Sequence, residues 1–365
     1  MRKLLRIFAL GGNEIAPTGI VDSKTGKTIN PDIPAQWLRA AKTCNLLSEI
    51  IKKRPDDYYI VTHGNGPQVG NILLRSDYSL PILPPIPLDV IVADTQGAMG
   101  FMLAHTTNAL RIRGIKKNLA TIVTQVVVDP DDPDFKDPSK FIGPSITREQ
   151  VSEKERQGQL FKLYKRNEQG DELWRRVVGS PKPLHIVEID IIEALLKAGI
   201  IPVAVGGGGI PVCPIKPIIE NGEEIYKCRH GVIFKRSHQS ETPATVYSGV
   251  DAVIDKDLAS SLLGTMLINR AVKRGEHLEA EFIIFTDVDG AKLNFGKSNQ
   301  KDLRFMTAKK AQKLYDEGVF PAGSIGPKVK AAIDFVKGGG KKAYITTVEL
   351  FHETLAENAG TTIVK

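Results

Sequence analysis

Short apolar runs alternate with longer stretches of helical periodicity along most of the chain. The short runs are rich in β-branched residues, as buried strands are, and the longer stretches repeat apolar residues every three or four positions, as helices do. This alternation predicts an α/β fold in which helices cover both faces of a mainly parallel sheet. The predicted strands are Leu4–Leu10, Tyr58–Thr62, Leu119–Val128, Ile200–Val205, Phe282–Thr286 and Ala343–Thr346. The predicted helices are Trp37–Lys52, Asp94–Arg113, Glu188–Lys197, Asp257–Val272, Thr307–Glu317 and Lys328–Lys337.

Two polar stretches interrupt the alternation. Residues 129–183 are charged and contain several prolines, beginning with Asp-Pro-Asp-Asp-Pro-Asp, a composition that favours a segment leaving the sheet. Residues 214–248 contain Lys-Pro and Asn-Gly turn signals and favour a hairpin or a lid-like insertion. The length of 365 residues fits either two domains or one large α/β unit that carries insertions.

Composition places the chain among globular proteins, with 42% hydrophobic residues, 25% charged residues and a mean hydropathy of −0.13, and it excludes disordered and collagen-like chains. The net charge of +7 suits an acidic partner. No basic block is interleaved with aromatic residues, so we expect no nucleic acid partner. No run reaches the ~18 apolar residues of a membrane span, so we expect no membrane partner. Three cysteines without disulfide-like spacing predict a reducing compartment and a cytoplasmic protein.

Four of the predicted strands end in glycine-rich turns. In an open parallel sheet, ligands bind at the carboxyl ends of the strands, where glycine lets a phosphate approach the backbone and a helix N-terminus adds positive charge. One such turn is common in any strand-to-helix connection, but four together favour a phosphate-binding protein. The turns are Gly11-Gly12-Asn13, His63-Gly64-Asn65-Gly66-Pro67, Gly206-Gly207-Gly208-Gly209 and Asp287-Val288-Asp289-Gly290.

Two glycine patterns resemble nucleotide-binding motifs without matching them. Gly64–Gly70 differs from the dinucleotide fingerprint by one residue in its last spacing and has Pro67 in the turn. Gly290–Ser298 has one residue too many for a P-loop. The sequence therefore disfavours both an NAD-binding protein and a Walker-type NTPase.

Three lysines are framed by residues that restrict the backbone or carry negative charge. Lys256 lies between two aspartates, Lys328 follows a Gly-Pro pair, and Lys140 lies in a segment bounded by prolines. Phosphoryl transfer depends on positive charges around the migrating group more than on a nucleophile, so these lysines are candidate catalytic residues, although most lysines are solvated surface side chains. Asp257 either caps the helix that follows or holds the ammonium groups of two lysines in place.

Taken in order along the chain, these motifs resemble those of carbamate kinases, a family within the amino-acid kinase superfamily. The resemblance covers nearly the whole chain, and several blocks are specific to carbamate kinases. The blocks are Ala-Leu-Gly-Gly-Asn at 9–13, His-Gly-Asn-Gly-Pro-Gln-Val-Gly at 63–70, Val-Asp-Pro-Asp-Asp-Pro at 128–133, Gly-Gly-Gly-Gly-Ile-Pro-Val at 206–212, Asp-Ala-Val-Ile-Asp-Lys-Asp-Leu-Ala-Ser at 251–260, Thr-Asp-Val-Asp-Gly at 286–290 and Gly-Pro-Lys-Val at 326–329.

The resemblance implies a three-layer α/β/α sandwich around a mainly parallel sheet, with residues 1–365 forming one amino-acid kinase domain that assembles as a homodimer. It also implies a small subdomain that protrudes over the active site and coincides with residues 129–183. Residues 214–248 depart from the family, which passes quickly from the glycine loop to the Asp-Lys-Asp block. This insertion would affect access, substrate choice or oligomer contacts.

The resemblance also implies roles for individual residues. The implied catalytic residues are Lys140, Lys256, Asp257 and Lys328. Among these, Lys140 reaches carbamoyl phosphate, and Asp257 orients the two lysines that surround the phosphoryl group. The implied substrate-binding residues are Gly11, Gly12, Asn13, Gly64, Asn65, Gly207, Gly208 and Gly209. The implied nucleotide-binding residues are Asp287, Asp289, Lys256 and Lys328.

The implied reaction is reversible, Mg²⁺-dependent phosphoryl transfer between ATP and carbamate, giving ADP and carbamoyl phosphate. Family members that degrade arginine or allantoin derivatives run it toward ATP. We expect Mg²⁺ to be held mostly by nucleotide phosphates and water, with no metal site built from protein ligands alone. Two alternatives stay open: an enzyme of the same superfamily that acts on a different acyl phosphate or amino acid, and a non-catalytic ligand sensor. The retained catalytic residues argue against the sensor.

Three further features differ from the family pattern or raise other chemistry. The loop 14–36 is longer than the family usually has, and Asp94 replaces a more apolar or serine-containing stretch. We expect Asp94 to cap a helix. A tetrahedral zinc site would need two soft ligands and two imidazoles, but finger-like spacings are absent, and we predict no structural metal. Its candidate ligands are Cys213, Cys228, His230 and His238.

Overall fold

The centre of the fold is a large sheet whose inner strands are apolar on both faces. Every residue of the strand Leu4–Leu10 is buried, as expected for a parallel strand that is covered on both sides. The computed structural model describes residues 3–15, 20–21, 28–29, 33–156, 158–167, 169–236, 245–321 and 323–365. The longer loop predicted at 14–36 lies mostly outside these residues.

Within the described residues this sheet has eight strands. Six adjacent strands run parallel to one another, and the two strands at one edge run in the opposite direction. The reversed pair consists of Phe305–Thr307, which precedes the last three helices of the chain, and Thr361–Val364, which follows them; neither strand was predicted. The strand order is Phe305–Thr307, Thr361–Val364, Lys342–Thr346, Glu279–Phe285, Leu4–Leu10, Tyr58–His63, Ile201–Val203 and Leu119–Thr121.

Helices cover both faces of the sheet and form the two outer layers. Leu5, Ile7 and Ala9 of the first strand join one apolar core, and Phe8 and Leu10 join another on the opposite face. This arrangement confirms the predicted α/β/α sandwich. No helix in the described ranges is long and apolar enough to cross a membrane. The helices are Ile33–Lys53, Gly66–Ser79, Leu88–Ile112, Arg148–Arg156, Ile189–Lys197, Lys256–Lys273, Ala308–Asp316, Ile325–Lys337 and Phe351–Leu355.

The single strand predicted at 119–128 is wrong. Leu119–Thr121 belongs to the large sheet, whereas Gln125–Val128 belongs to a second sheet. The break occurs at Thr124, whose backbone N–H donates to Gln96 Oε1 at 2.7 Å and whose carbonyl accepts from Gln96 Nε2 at 3.1 Å. Because the buried amide of Gln96 satisfies both backbone groups, the chain leaves the first sheet here without losing hydrogen bonds. The second sheet has the order Pro183–Ile186, Gln125–Val128, Ile210–Ile215 and Val246–Gly249.

The predicted capping role of Asp94 is also wrong. The helix begins at Leu88, and Pro87 is its N-cap in an extended conformation. Asp94 is exposed and lies six residues after Leu88, well inside the helix at about 3.6 residues in each turn. The apolar spacing of the helix extends further toward the N-terminus than predicted, through Leu88, Ile91 and Val92, which are buried in a shared cluster. The helix therefore begins at Leu88 rather than at Asp94.

The polar stretch 129–183 lies between two strands of the second sheet, Gln125–Val128 and Pro183–Ile186, which pair antiparallel. It contains the helix Arg148–Arg156 and a separate antiparallel sheet, which we call the outer sheet. Its strands, in spatial order, are Lys140–Ile146, Glu172–Val178 and Leu160–Arg166. Hydrophobic residues of the outer sheet, including Ile142 and Val178, pack in a cluster with Val69 and Leu73 of the helix Gly66–Ser79.

The stretch 214–248 also begins and ends in the second sheet, because Ile210–Ile215 pairs with Val246–Gly249. Between them a turn contacts the rest of the molecule. His230 Nε2 lies 3.0 Å from Oδ2 of the buried Asp89, and Arg229 pairs with Asp251 at 2.6 Å. The antiparallel strands of the stretch are Ile218–Glu220, Glu223–Lys227 and Ile233–Lys235.

Candidate active site

Three glycine-rich turns meet at one edge of the large sheet because they follow neighbouring parallel strands. The N–H of Gly11 donates to the carbonyl of Phe285, and the N–H of Gly64 donates to the carbonyl of Leu10, both at 3.0 Å. A Cβ on Gly64 would lie 3.2 Å from the backbone nitrogen of Gly12. A side chain at Gly64 would therefore force the neighbouring backbone to shift by a few tenths of an ångström, and the close packing leaves Gly11, Gly12 and Gly64 side by side.

The fourth glycine turn packs against this edge and positions Asn65. Gly207, Gly208 and Gly209 all have positive φ angles, a conformation that favours glycine. A Cβ on Gly207 would lie 2.0 Å from Asn65 Nδ2, and one on Gly208 would lie 2.4 Å from the carbonyl oxygen of Ile254. The glycine loop is therefore buried packing that brings the backbone directly against the Asn65 amide.

The two asparagines are oriented by hydrogen bonds. Asn65 Nδ2 donates to Thr95 Oγ1 at 2.8 Å, and that hydroxyl donates to the carbonyl of Val92. Asn13 Nδ2 lies 3.4 Å from Asp287 Oδ2. Sequence reasoning missed Thr95, because its contact with Asn65 joins two different helices and leaves no local signal.

A buried cluster of Lys256, Asp257 and Lys328 lies at the same edge. Asp257 Oδ1 lies 2.8 Å from Lys256 Nζ, and Asp257 Oδ2 lies 3.3 Å from Lys328 Nζ. Lys256 Nζ also donates to the carbonyl of Leu10 at 3.1 Å. Of the two roles that the sequence left open for Asp257, holding two lysines is the one observed. The cap of the helix Lys256–Lys273 is Asp255.

The electrostatics of this cluster follow from burial and from the arrangement of two cations around one anion. Burial lowers the pKa of Lys256, and the nearby Lys328 lowers it further, against the pull of Asp257. Burial acts to raise the pKa of Asp257, but the two ammonium groups outweigh it and hold that pKa below its usual range. Burial alone would lower the pKa of Lys328, yet Asp257 and other carboxylates raise it. With both lysines protonated, the cluster has two cations around one anion, a surplus of one positive charge.

Lys140 reaches the same region from the outer sheet. Its Nζ lies 3.3 Å from Asp255 Oδ2. Together with Asp255 and Lys328 it lines a cavity of about 780 Å³ between the outer sheet and the helices that begin at Lys256 and Ile325. The structure thus brings Lys140 and Lys328 to one cleft, and Lys256 is joined to Lys328 behind it through Asp257. Asp255 is a residue of this cleft to which sequence reasoning assigned no role, although an aspartate directly before a helix is a capping signal.

A second cavity of about 260 Å³ lies on the other side of Lys328. Its walls combine apolar side chains such as Val288 and Phe295 with the carboxylate of Asp287. Asp289 is not among the residues that line the cavity; it pairs with Lys292, a lining residue, at 2.7 Å and with Arg304 at 3.7 Å. Of the two aspartates in this turn, only Asp287 is brought to the cavity.

His63 ends its strand beneath the glycine turns. Burial lowers its pKa to about 4, so the ring is neutral at pH 7. Its Nδ1 lies 3.2 Å from the carbonyl oxygen of Gly64. A Cβ on Gly206 would lie 2.5 Å from its Nε2, so the ring supports the packing of both glycine loops and carries no positive charge at neutral pH.

The possible zinc ligands are engaged separately. The thiol of Cys213 lies 3.5 Å from the carbonyl oxygen of Val128, whereas His230 contacts Asp89. His238 lies outside the described residues. Within the part of the chain that the structure describes, no group of three or more histidine, cysteine, aspartate or glutamate side chains could hold a metal ion.

No protein-family model matches the sequence, but curated proteins named carbamate kinase are similar to it over nearly their whole length. The one from Thermoplasma acidophilum is 37% identical over 361 residues, covering 98% of this chain and 99% of the relative. The one from Thermococcus kodakarensis is 38% identical over 364 residues, covering 98% of both chains. Carbamate kinase 1 of Enterococcus faecium is 37% identical over 346 residues, covering 94% of this chain and 93% of the relative.

Solved structures agree. Carbamate kinase from Giardia lamblia bound to AMP-PNP is 31% identical, with a TM-score of 0.77 over 100% of this chain and 99% of that chain. A structure from Aeropyrum pernix K1 is 35% identical, with a TM-score of 0.77 over 99% of both chains. Each of these alignments spans nearly all of both chains.

Proposed function

Since the chain belongs to the carbamate kinase family, we propose how its residues divide the work of transferring a phosphoryl group. The enzyme is an ATP-dependent phosphotransferase whose acceptor is the carboxyl group of carbamate, and it interconverts ATP and carbamate with ADP and carbamoyl phosphate. Catalysis of such a transfer is mostly positioning and the stabilisation of negative charge. The observation that carries our assignment is the pair of lysines on one buried carboxylate.

Lys256 and Lys328 bind the oxygens of the phosphoryl group during its transfer, and Asp257 holds both ammonium groups in place. The surplus positive charge of the three residues is then neutralised by the phosphoryl group. Since these donors are already oriented and partly desolvated, they need little reorganisation when the charge of the transition state develops. The same contacts lower the single barrier that both directions of the reaction share.

The glycine edge forms the substrate cradle. We assign Gly11, Gly12 and Gly64 to the phosphoryl end. The N–H groups of Gly11 and Gly64 bond to backbone carbonyls, so these two glycines serve by letting an oxyanion approach the backbone without an intervening side chain. Asn13 and Asn65 present amides to the carbamoyl end, and Lys140 reaches carbamoyl phosphate from the outer sheet. The substrate cradle is completed by the loop Gly207, Gly208 and Gly209.

The 260 Å³ cavity beside Lys328 is the nucleotide side. Its apolar walls suit a nucleoside, and Lys328 lies between it and the phosphoryl site. Asp287 is the carboxylate at this cavity and fits Mg²⁺, which keeps most of its water and phosphate ligands and takes one or two carboxylates. The bound Mg²⁺ would reduce the charge of the nucleotide phosphates. Asp289, tied to Lys292, supports the turn instead.

Further assignments follow the family expectation. An acyl phosphate is a strong phosphoryl donor, which supports a net direction toward ATP in arginine metabolism. A cytoplasmic location suits three cysteines that are free. We also propose a homodimer, supported by large apolar side chains that are exposed between residues 78 and 90, including Tyr78 and Ile82 at 81% and 86%. Light scattering of the purified protein measures this directly.

The function is tested by mixing purified protein with Mg²⁺, ADP and carbamoyl phosphate and measuring ATP. We expect rapid ATP formation with carbamoyl phosphate and little with acetyl phosphate. Equal rates with both donors would favour the alternative of a different acyl phosphate. Binding of ADP and carbamoyl phosphate without turnover would favour a ligand sensor. Omission of Mg²⁺, with a chelator present, should abolish turnover.

A further inference from the structure

Asp255 uses its two carboxylate oxygens for two different purposes. Oδ1 accepts from the backbone N–H groups of Asp257 at 2.9 Å and Leu258 at 3.2 Å, which caps the helix Lys256–Lys273. Oδ2 pairs with Lys140 Nζ at 3.3 Å. Capping needs only an oxygen acceptor, which serine, threonine and asparagine also provide. The negative charge on the second oxygen is therefore not needed for the cap.

Lys140 needs such a partner more than the other two lysines do. Lys256 and Lys328 lie in the first turns of two helices and are largely buried, with side chains 11% and 21% exposed. The Lys140 side chain is 38% exposed, has four rotatable carbon–carbon bonds and extends from the outer sheet. Its ammonium would occupy many positions in the cleft without a fixed anion. Asp255, anchored through its other oxygen to the helix that carries Lys256, places that anion at a fixed point beside the phosphoryl site.

We propose that Asp255 is a positioning residue that holds Lys140 over the phosphoryl site until an acyl phosphate binds. The proposal rests on the proposed function, since it takes Lys140 as a ligand of carbamoyl phosphate. When the substrate binds, its phosphoryl oxygens accept hydrogen bonds from the same ammonium group. Lys140 then only has to exchange Asp255 for the phosphoryl group and does not have to move in from solvent. Preorganisation of this kind lowers the cost of binding the substrate.

The test is Asp255→Asn, which keeps the cap and removes the charge. With Mg²⁺ and saturating ADP, we expect the KM for carbamoyl phosphate to rise about tenfold and kcat to change less than threefold. The KM for ADP should change less than twofold. If Asp255→Asn does not fold, Asp255→Ser, another neutral capping residue, replaces it.

A double-mutant cycle with Lys140→Met separates positioning from a structural role. In the Lys140→Met background, Asp255→Asn should change the KM for carbamoyl phosphate less than twofold, because the group it positions is gone. The same tenfold rise in both backgrounds would overturn the proposal, as would the absence of any rise in the wild-type background. If the wild-type protein makes no ATP from carbamoyl phosphate, the proposed function itself fails.

Asp132→Asn is the matched control. Asp132 also caps a short helix, accepting from the N–H of Asp134 at 2.9 Å, and also uses its second oxygen elsewhere, for the N–H of Lys182. It contacts none of the three site lysines. We expect its kinetic constants to stay within twofold of the wild type, and a tenfold rise in this control would mean that the effect at Asp255 is not specific.

Discussion

The strand Leu4–Leu10 connects two largely buried ionic clusters that differ in charge balance and in access. Near its amino end, Arg6 pairs with Asp57 at 2.7 Å and with Glu281 at 3.1 Å, and Arg54 pairs with the same Asp57 at 2.8 Å. We call these four residues the amino-end cluster. Beyond its carboxyl end, Lys256, Asp257 and Lys328 form what we call the carboxyl-end cluster.

The amino-end cluster is balanced. Its two arginines match its two carboxylates, and the remaining carboxylate oxygens accept from the backbone N–H of Leu4 and from the hydroxyl of Tyr344. Every carboxylate oxygen therefore has a protein partner, as buried charge normally requires. Such a cluster has no remaining capacity for a ligand.

The carboxyl-end cluster has two cations and one anion, and Lys328 borders two cavities. Its surplus charge is desolvated without being neutralised, which is costly unless an anion binds. The comparison shows that burial of charge does not by itself mark a catalytic site. Charge imbalance together with access is what favours the carboxyl-end cluster as the proposed catalytic site.

The largest expected effect is on stability and follows from breaking the balanced cluster. Arg6→Met leaves Glu281 and part of Asp57 as buried, unpaired carboxylates, so the free energy of unfolding should fall by about 3–5 kcal/mol. Denaturant unfolding followed by circular dichroism measures this. The kcat of the folded protein should stay within twofold, because the catalytic edge is at the other end of the strand. Adding Glu281→Gln should recover part of the stability, and a loss below about 1 kcal/mol would show that the cluster behaves like a surface ion pair.

The next effect is on catalysis and follows from a substitution that removes the surplus charge of the carboxyl-end cluster. Lys328→Met leaves Lys256 and Asp257 as a neutral pair, so we expect stability to change by less than about 1 kcal/mol. Loss of one preorganised donor should lower kcat/KM for ATP synthesis by about 10²–10³-fold. Initial rates at several concentrations of carbamoyl phosphate measure this loss.

Lys330→Met is the control for this variant. Lys330 lies two residues further along the same helix and pairs with Asp334, so it is balanced locally. We expect its kcat/KM to stay within threefold of the wild type. A comparable loss in both variants would mean that general positive charge along the cleft, rather than the carboxyl-end cluster, drives catalysis.

The sequence predicted the carboxyl-end cluster much better than the amino-end cluster, for a physical reason. Lys256 and Lys328 lie at helix starts beside glycine, proline or aspartate, and such signals are local. The partners of Arg6 lie 51 and 275 residues away along the sequence, and no local sequence pattern predicts such pairs. Sequence reasoning assigned no role to Arg6.

Local signals also failed where two roles share one signature. Aspartates on both sides of Lys256 can each cap the helix, and only the approach of Lys328, 71 residues away, separates the capping Asp255 from the lysine-binding Asp257. The break at Thr124 likewise depends on Gln96, 28 residues away. The order of elements is thus predictable from periodicity, whereas side-chain partners across the sheet are not.

The smallest effect at neutral pH is that of raising the pH, which should act differently on the two clusters. Because burial lowers the pKa of Lys256, kcat/KM should fall as pH rises through a value below the 10.5 of an ordinary lysine, by about tenfold per pH unit above it. The unfolded chain binds this proton more tightly than the folded one, so in that range the Lys256 contribution to stability rises with pH.

In the amino-end cluster the pKa of Arg6 is raised, and burial raises the pKa of the neighbouring Tyr59 to about 12. The stability that depends on Tyr59 therefore begins to fall only above its unfolded pKa of about 10. Rates and unfolding free energies measured from pH 6 to 10 should therefore show activity lost before stability. Coincident loss of both would mean that unfolding, and not the deprotonation of Lys256, sets the alkaline limit.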